Sequence, residues 1–375
     1  MRHAQRPAQR VSAPVRRHGQ PRRRKPQARR LRLTAATEAF FPALAALGPF
    51  GAAPRLAAGV SGGPHSLALA LIAHDFCRAQ GGSLLALVVD HGFRAESAAE
   101  ARWTAETLEH HGIASRVISL GLPRGPALQE RARAGRLAAM LSFCAEAGRP
   151  WLLLGQHRLD QAETLLFRAL RGSGGAGLAG MAAARATSEA MILRPLLDTP
   201  PAALEALLAA RGILPIRDPS NDDARFARVR LRQSLADAGG EGQGARALAE
   251  AARGFAHRRR VAEAAVAARL AATCRIDPAG WAFVSPAALG RDRVAAAALA
   301  ALVRLVTGAE HAPAAAATRA LLARGEGTLH GAQWQAGWLA REPAACAPPV
   351  AAVAGAGWDG RWRLRGTPPA GFLLG

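Results

Sequence analysis

The chain is poor in several residue types. It contains four cysteines, no tyrosine and a single lysine, Lys25. The cysteines lie far apart and form no C-x-x-C pair, which argues against a zinc knuckle, an iron–sulfur cluster or a dithiol redox site. A reducing, cytoplasmic location is the simplest inference. No run of about 18 strongly apolar residues is present, so we expect no membrane span.

Acidic residues are absent from residues 1–33, which carry twelve basic ones. The formal net charge is +22, so removing these twelve leaves +10 for the remaining chain. A basic body suits a polyanion such as RNA, although an arginine-rich codon bias would raise the charge in the same way. Residues 1–33 lack apolar periodicity and are predicted to be disordered. An RNA-tethering arm, an upstream-extended start and, less favoured, a transit peptide stay open as explanations.

Short apolar runs alternate with longer helical patterns from residue 55 onwards. Apolarity is continuous within the short runs, which implies burial on both faces, as in a parallel sheet flanked by helices. The predicted fold is therefore an α/β domain with a doubly wound parallel sheet. The predicted strands are Leu56–Val60, Ser83–Val89, Arg116–Leu120, Trp151–Leu154 and Met191–Leu197. The predicted helices are Ser66–Gln80, Ser97–His111, Ala127–Ala147 and Gln161–Leu170.

The composition changes again near residue 235, where an Ala- and Arg-rich helical pattern begins. We predict an α/β domain over 34–234, a separate helical domain over 235–325 and a short β-rich segment over 326–375. Four tryptophans lie in the last segment, at Trp334, Trp338, Trp358 and Trp362. Such residues are more often core than platforms for stacking bases.

Residues 61–66 read SGGPHS and connect the first predicted strand to the first predicted helix. Two adjacent glycines permit left-handed backbone and close approach of a ligand, and the N-terminus of a helix favours an anion. The loop has no lysine, which excludes a Walker A loop, and its spacing excludes a G-x-G-x-x-G dinucleotide loop. On these residues alone, a phosphate-binding loop and an ordinary Gly-Pro turn both stay open.

The same six residues resemble the S-G-G-x-D-S pyrophosphate loop of the N-type ATP pyrophosphatases. Five later segments resemble motifs of the tRNA(Ile)-lysidine synthetases and occur in that family's order. They are VDHGFR at 89–94, HRLDQAET at 157–164, LRGSG at 170–174, LRPLL at 193–197, and DPSN followed by FARVRLR over 218–232. The resemblance covers residues 56–232 and implies an adenine nucleotide alpha hydrolase-like sheet. It further implies that 34–234 is the ATP-binding catalytic domain and that the helical domain over 235–325 binds tRNA.

The resemblance also implies a reaction. ATP, with Mg²⁺, adenylates the C2 oxygen of the wobble cytidine in a tRNA(Ile) with a CAU anticodon. The ε-amine of free L-lysine then attacks C2, which gives lysidine and releases AMP, pyrophosphate having left in the first step. Such chemistry needs a phosphate cradle, a carboxylate pocket for an ammonium group and an RNA surface.

Site residues are carried over from the matching motifs. Asp90, Asp160 and Glu163 are the candidate catalytic residues, and Asp90 is also the candidate Mg²⁺ ligand. Asp160 and Glu163 are three apart, so on a helix they share a face and could bind lysine's cation, or they could be solvated surface charges. The loop residues for pyrophosphate are Ser61, Gly62, Gly63, Pro64, His65 and Ser66. The candidates for contacts to ATP or tRNA are His91, Arg171, Arg194, Arg228, Arg230 and Arg232, of which the last three could equally form a solvated stripe.

Two positions depart from the family's motifs. His65 replaces an Asp, and Leu159 replaces the first of two paired acids, so two carboxylates are missing from the presumed metal and substrate region. A neutral imidazole can donate to a phosphate oxygen but does not replace a hard oxygen ligand of Mg²⁺. An ATP-dependent tRNA modifier of another kind, such as a thiolase, and a catalytically weakened tRNA-binding relative are the alternatives. A homodimer is left open.

Overall fold

We describe the chain from a computed structural model, which covers residues 35–90, 92, 96–121, 128–217, 225, 227–369 and 371–375. The predicted tail at 1–33, His91, the DPSN segment and Phe226 lie outside these residues. Two sheets organise the rest: a six-stranded sheet in the first half and a five-stranded sheet in the second.

The six-stranded sheet has the order β3-β2-β1-β4-β6-β5. Neighbouring strands are parallel except β5, which runs antiparallel to β6 at the edge. The strands are β1 Arg55–Val60, β2 Ser83–Asp90, β3 Ala114–Ser119, β4 Trp151–Leu153, β5 Ala184–Ala186 and β6 Met191–Leu193. The predicted parallel sheet is thus confirmed, whereas β5 was not predicted because its three residues are exposed and lack an apolar run.

Helices cover both faces of this sheet. They are α1 Ala35–Ala45, α2 Pro64–Ala79, α3 Ser97–His110, α4 Leu128–Glu146, α5 Arg158–Leu170, α6 Gly175–Leu178, α7 Pro201–Ala210 and α8 Ala227–Leu235. Leu56, Ala58 and Val60 of β1 join one core cluster, with α1, α2, α3 and α7. Ala57, between them, joins a second cluster with α4. Burial on both faces explains the continuous apolar runs and confirms the doubly wound fold.

Three predicted boundaries differ from the structure for identifiable reasons. Helix α2 begins at Pro64 because proline's fixed φ and missing N–H suit the first helical position. Helix α5 begins at Arg158, since His157 stands at its N-cap. The strand predicted over Met191–Leu197 is wrong beyond Leu193, where the chain passes into a turn.

The second half is built around the five-stranded sheet, with order β7-β8-β11-β10-β9 and antiparallel neighbours. The strands are β7 Cys274–Asp277, β8 Trp281–Val284, β9 Gly327–Leu329, β10 Ala332–Gln335 and β11 Trp338–Arg341. The helices are α9 Gln243–Thr273, α10 Pro286–Leu289, α11 Arg293–Thr307 and α12 Ala315–Arg324. Residues of α11 and α12 form one core with the inner face of the sheet.

The predicted helical domain over 235–325 does contain α9 to α12, but it also contains two strands that were not predicted, β7 and β8. Each strand has four residues, too few for an alternating pattern to stand out, and β8 is fixed by pairing with β11, more than fifty residues later. The β-rich end is confirmed: four two-residue strands, β12 Val350–Ala351, β13 Gly357–Trp358, β14 Trp362–Arg363 and β15 Leu373–Leu374, follow the second sheet. Within the described part of the chain, none of the helices is long and apolar enough to cross a membrane.

Candidate active site at the ends of the parallel strands

The loop at residues 61–66 lies at the carboxyl end of β1 and is closed by its own serines. The backbone N–H of Ser61 donates to Oγ of Ser66 at 3.1 Å, and the two hydroxyl oxygens are 3.2 Å apart. Oγ of Ser66 also donates to the carbonyl of Gly63 at 3.0 Å. The hydroxyls therefore hold the loop in a defined shape before any ligand binds.

Gly62 is the residue that this shape requires. Its φ is +78°, and a Cβ there would lie 2.5 Å from Oγ1 of Thr104 and 2.7 Å from Cδ1 of Ile216. The carbonyl of Gly62 accepts from the backbone N–H of Ile216 at 3.0 Å. Gly63 differs, because its φ is −72° and the nearest atom to a Cβ would be 3.6 Å away. Only the first glycine is thus held by both backbone angle and crowding.

The end of the next strand lies at the same edge of the sheet. The register pairs Val60 with Val88, so Asp90, the last residue of β2, lies level with Gly62, two residues after the end of β1. One carboxylate oxygen of Asp90, Oδ1, accepts from the backbone N–H of Gly92 at 3.0 Å and from the hydroxyl of Ser97. Asp90 thus fastens the turn after β2 to the beginning of α3.

His65 lies against His157 at the beginning of α5. The ring centroids are 4.1 Å apart and the rings meet edge to face at 76°. Burial, followed by the neighbouring His157, lowers the pKa of His65 to about 3. Burial also lowers the pKa of His157, which is 4% exposed. Both imidazoles are therefore neutral at physiological pH.

The polar neighbours of this histidine pair come from α5 and α7. Asp160 accepts from the backbone N–H of His157 at 3.0 Å, and its Oδ2 lies 3.4 Å from Nε2 of the same residue. Glu205 lies 3.9 Å from Nε2 of His65 and pairs with Arg217 at 2.9 Å. His157 belongs to the HRLDQAET motif without a predicted role, and Glu205 belongs to none of the motifs. The N-cap position before Asp160 was the available signal for His157.

Glu163 and Arg232, predicted for different roles, form one ion pair. Nε of Arg232 donates to Oε1 of Glu163 at 2.6 Å, and the Glu163 side chain is only 2% exposed. Asp160, one turn earlier, is 25% exposed. The expected pair of carboxylates is thus divided: Asp160 is accessible at the N-terminus of α5, while Glu163 holds α8 against α5.

The other predicted arginines differ in exposure. Arg194 donates to Oε1 of Gln156 at 3.1 Å and to the carbonyl of Ala182 at 2.9 Å. Burial, then the charges of two other arginines, lowers the pKa of Arg194 to about 10. Arg171 and Arg230 are exposed, and the Arg171 guanidinium lies 4.4 Å from the ring centroid of Phe167. Arg228 belongs to α8, but its side chain lies outside the described part of the structure.

The described residues do not form a metal site made by protein ligands alone. Among the described residues, no group of three or more His, Cys, Asp and Glu side chains is placed to hold an ion. Mg²⁺ that accompanies a nucleotide usually takes only one or two carboxylates and is otherwise held by phosphates and water. Asp90, at the edge of the sheet shared with the loop, supplies one such carboxylate. The described residues therefore fit an Mg²⁺ ion that arrives with the nucleotide.

Comparisons with known proteins identify relatives. Residues 37–238 match the PP-loop domain family. A tRNA(Ile)-lysidine synthase of Novosphingobium aromaticivorans is 44% identical over 212 residues, which are 54% of this chain and 62% of that protein. One of a Methylobacterium strain is 40% identical over 275 residues, 73% of this chain and 77% of that protein. Matches with the first three relatives span 62%, 56% and 64% of their lengths.

A solved structure shares the fold. The U34-tRNA thiolase of Methanococcus maripaludis superposes with a TM-score of 0.51 at 16% sequence identity, over 60% of this chain and 78% of the thiolase. At this identity the likeness concerns the backbone architecture alone.

Proposed function

Because the chain belongs to the tRNA(Ile)-lysidine synthase family of PP-loop proteins, we propose that it ligates lysine to tRNA. The substrate is the wobble cytidine of a tRNA(Ile) with a CAU anticodon, activated at its C2 oxygen by AMP from ATP. Free L-lysine then displaces AMP. The observation that carries the proposal is the preformed loop at 61–66, set where doubly wound sheets bind ligands, in a chain with this family's motifs.

The loop is proposed to hold the pyrophosphate of ATP. Its N–H groups at the beginning of α2 have no acceptor within the helix, and the positive end of the helix dipole favours an anion there. The hydroxyls of Ser61 and Ser66 already face each other at 3.2 Å and can turn towards a phosphate oxygen. Gly62 keeps side-chain atoms out of this turn. The arrangement stabilises negative charge as pyrophosphate leaves.

His65 enters this proposal as a neutral group. Held uncharged by burial, it can donate one hydrogen bond to a phosphate oxygen but adds no positive charge and is not a ligand for Mg²⁺. Asp90 is the proposed protein contact of the ion, at the edge shared with the loop. When bound with ATP, Mg²⁺ would neutralise charge on the departing pyrophosphate. The imidazole of His65 thus occupies the position of the family's aspartate but supplies neither a negative charge nor an oxygen ligand for Mg²⁺.

The lysine contact is proposed at Asp160 and not at both acids. Glu163 is almost fully buried and engaged by Arg232, whereas a quarter of the Asp160 side chain is in contact with solvent. An incoming ammonium group meets less competition at Asp160. Glu163 is then a positioning residue, which fixes Arg232 and helix α8 beside the site.

RNA contacts are proposed on the exposed basic side chains. Arg171 and Arg230 are exposed and can approach phosphates from the solvent side. The half-buried Arg194 instead joins the loop after β4 to the segment before β5. His91 and Arg228 stay predictions. Along α9, arginines at positions 246, 253, 258, 259 and 260 extend the basic surface beyond the first domain. Phosphate contacts of this kind give affinity with strong salt dependence.

A thiolase-like reaction is not favoured by the cysteines. Burial raises the pKa of the Cys77 thiol and of the Cys144 thiol to about 11, so neither is a reactive thiolate near neutral pH. Both side chains belong to the hydrophobic core. Cysteine chemistry therefore has no suitable nucleophile in the described part of the first domain.

The test supplies purified protein with ATP, lysine and the CAU-anticodon tRNA, and measures lysidine by nucleoside mass spectrometry. We expect lysidine from the wild type, and equal or higher activity from His65→Asp, which restores the family's carboxylate. Ser66→Ala is the comparison inside the loop and should lower the rate of pyrophosphate release. Normal tRNA binding without lysidine would favour a weakened tRNA-binding relative instead.

A further inference from the structure

The five-stranded sheet has one covered face and one open face. Ala282, Val284, Trp334 and Leu339 point into the core with α11 and α12. Because side chains alternate along a strand, their neighbours point the other way. Those neighbours include three aromatic residues, Trp281, Phe283 and Trp338. We call this surface the aromatic sheet face.

The three aromatic rings form a connected cluster. Trp338 pairs with Phe283 in the register of β8 and β11, and their ring centroids are 5.2 Å apart. Trp281 meets Trp338 at 4.8 Å with an angle of 62° between the rings. Trp338 is 47% exposed and Phe283 is 38% exposed. Only 5% of the residues in this chain are aromatic, so three clustered rings on one open face are unusual. Exposed apolar patches of this kind mark interaction sites.

Polar groups on the same face define the chemistry of that partner. The guanidinium of Arg275 lies 5.6 Å from the ring centroid of Trp281 and is opposite Phe283 in the register. Gln333 and Gln335 alternate with the buried Trp334 and are exposed, their side-chain amides 3.3 Å apart. Asp277 also lies on this side, but its carboxylate accepts from the backbone N–H of Ala279 and belongs to the β7–β8 turn.

We propose that the aromatic sheet face binds unpaired nucleotides of RNA. Aromatic side chains and arginine stack on bases, amides read base edges, and the guanidinium can also contact phosphate. Paired bases are hidden within a duplex, so this surface takes nucleotides from a loop or a single-stranded end. The formal net charge, +10 even without residues 1–33, favours a polyanion over a neutral or basic protein partner. That the RNA is a tRNA rests on the proposed function; the stacking itself does not.

The experiment measures binding of two labelled RNAs to the full chain by fluorescence anisotropy: a single-stranded pentanucleotide and the CAU-anticodon tRNA. Trp338→Ala should raise Kd for the pentanucleotide about fivefold or more, as expected for loss of one stacked base. Trp338→Phe should keep most of the affinity. Phe372→Ala is the matched control, since Phe372 is 61% exposed and lies before β15, outside this sheet. A blunt RNA duplex should bind the wild type and Trp338→Ala equally.

Further variants keep the proposal falsifiable. Arg275→Gln should weaken pentanucleotide binding through an exposed side chain whose loss leaves the core intact, and circular dichroism checks each variant's fold. A tRNA without its unpaired 3′ end locates the contact. If wild type and Trp338→Ala bind this shortened tRNA with the same Kd, the face contacts the 3′ end; if Trp338→Ala still binds more weakly, the face contacts a tRNA loop.

Two results would overturn the proposal. One is an unchanged Kd for the pentanucleotide in folded Trp338→Ala and Arg275→Gln. The other is a wild-type dimer that Trp338→Ala converts to monomer without a change in RNA affinity, which would make the face a protein interface. Lysidine formation is measured separately. Its absence from the wild type would contradict the proposed function, while pentanucleotide binding would still decide the role of this face.

Discussion

Gly62→Ala should damage the loop at 61–66, whereas Gly63→Ala should not. The two glycines are adjacent in the loop, yet only Gly62 has a left-handed backbone and close neighbours. A comparison of the two alanine variants therefore separates the need for glycine's conformational freedom from a general intolerance of side chains in the loop.

The expected magnitude follows from two contributions. Left-handed backbone costs a non-glycine residue about 1–2 kcal/mol. A Cβ placed 2.5 Å from Oγ1 of the buried Thr104 and 2.7 Å from Cδ1 of the half-buried Ile216 forces these neighbours to move, which adds about 1–3 kcal/mol. We expect Gly62→Ala to lose about 3 kcal/mol of unfolding free energy in total. Gly63→Ala should stay within about 1 kcal/mol, because its φ of −72° suits alanine.

The assay combines stability with loop function. Urea unfolding followed by circular dichroism gives the loss in free energy, and ATP-dependent pyrophosphate release reports the loop. Thr104→Ala removes the nearer of the two atoms, so the double variant with Gly62→Ala should lose less than the sum of the single losses, by about 1–2 kcal/mol. Equal stability of the two glycine variants, or strict additivity in the double variant, would refute this account of the loop.

Two further predictions concern residues that support the site. Arg211→Ala should lower the free energy of unfolding by about 3 kcal/mol, because Nη2 of Arg211 lies 2.5 Å from the Asp75 carboxylate, which is 8% exposed and would be left without this partner. Asp75→Asn, whose amide oxygen can still accept, should lose less. A larger loss for Asp75→Asn than for Arg211→Ala in urea titrations would contradict the pairing. Stability should also fall as the pH is lowered from 6.5 towards 3, because the folded chain keeps His65 neutral while the unfolded chain takes up its proton near pH 6.5. From pH 8 to pH 5, the wild type should lose about 2 kcal/mol more unfolding free energy than His65→Asn, because only the wild type has this histidine to protonate on unfolding. The same pH dependence of stability in both proteins would show that His65 titrates normally.

The parallel sheet and its phosphate loop were predictable because their signals are local. Continuous apolar runs separated by helical patterns require a doubly covered sheet, and the structure places Leu56, Ala57 and Ala58 against cores on opposite faces. Adjacent glycines before a helix identify the turn. Local patterns also placed Asp90 and the loop at the ends of two consecutive strands. In a parallel sheet these ends lie at the same edge, so the sequence was enough to predict that the two are near each other.

The tertiary structure decided which side chains meet. The contact between His65 and His157 and the ion pair between Glu163 and Arg232 join residues that are 92 and 69 positions apart. Burial keeps both imidazoles neutral, with His157 as a second cause for His65. Packing of α8 against α5 leaves Glu163 only 2% exposed. Charge state and availability depend on burial by distant segments, which no local pattern records.

The second sheet shows the same division between sequence and structure. Trp334 and Trp338 are four residues apart in similar surroundings, yet Trp334 is fully buried and Trp338 is 47% exposed. The tight turn between β10 and β11 reverses the chain, so their positions in two paired strands put them on opposite faces. The sequence by itself determined that four tryptophans lie within residues 326–375. The pairing of β11 with β8 and β10 determined that Trp334 fills a core and that Trp338 is exposed on the open face of the sheet.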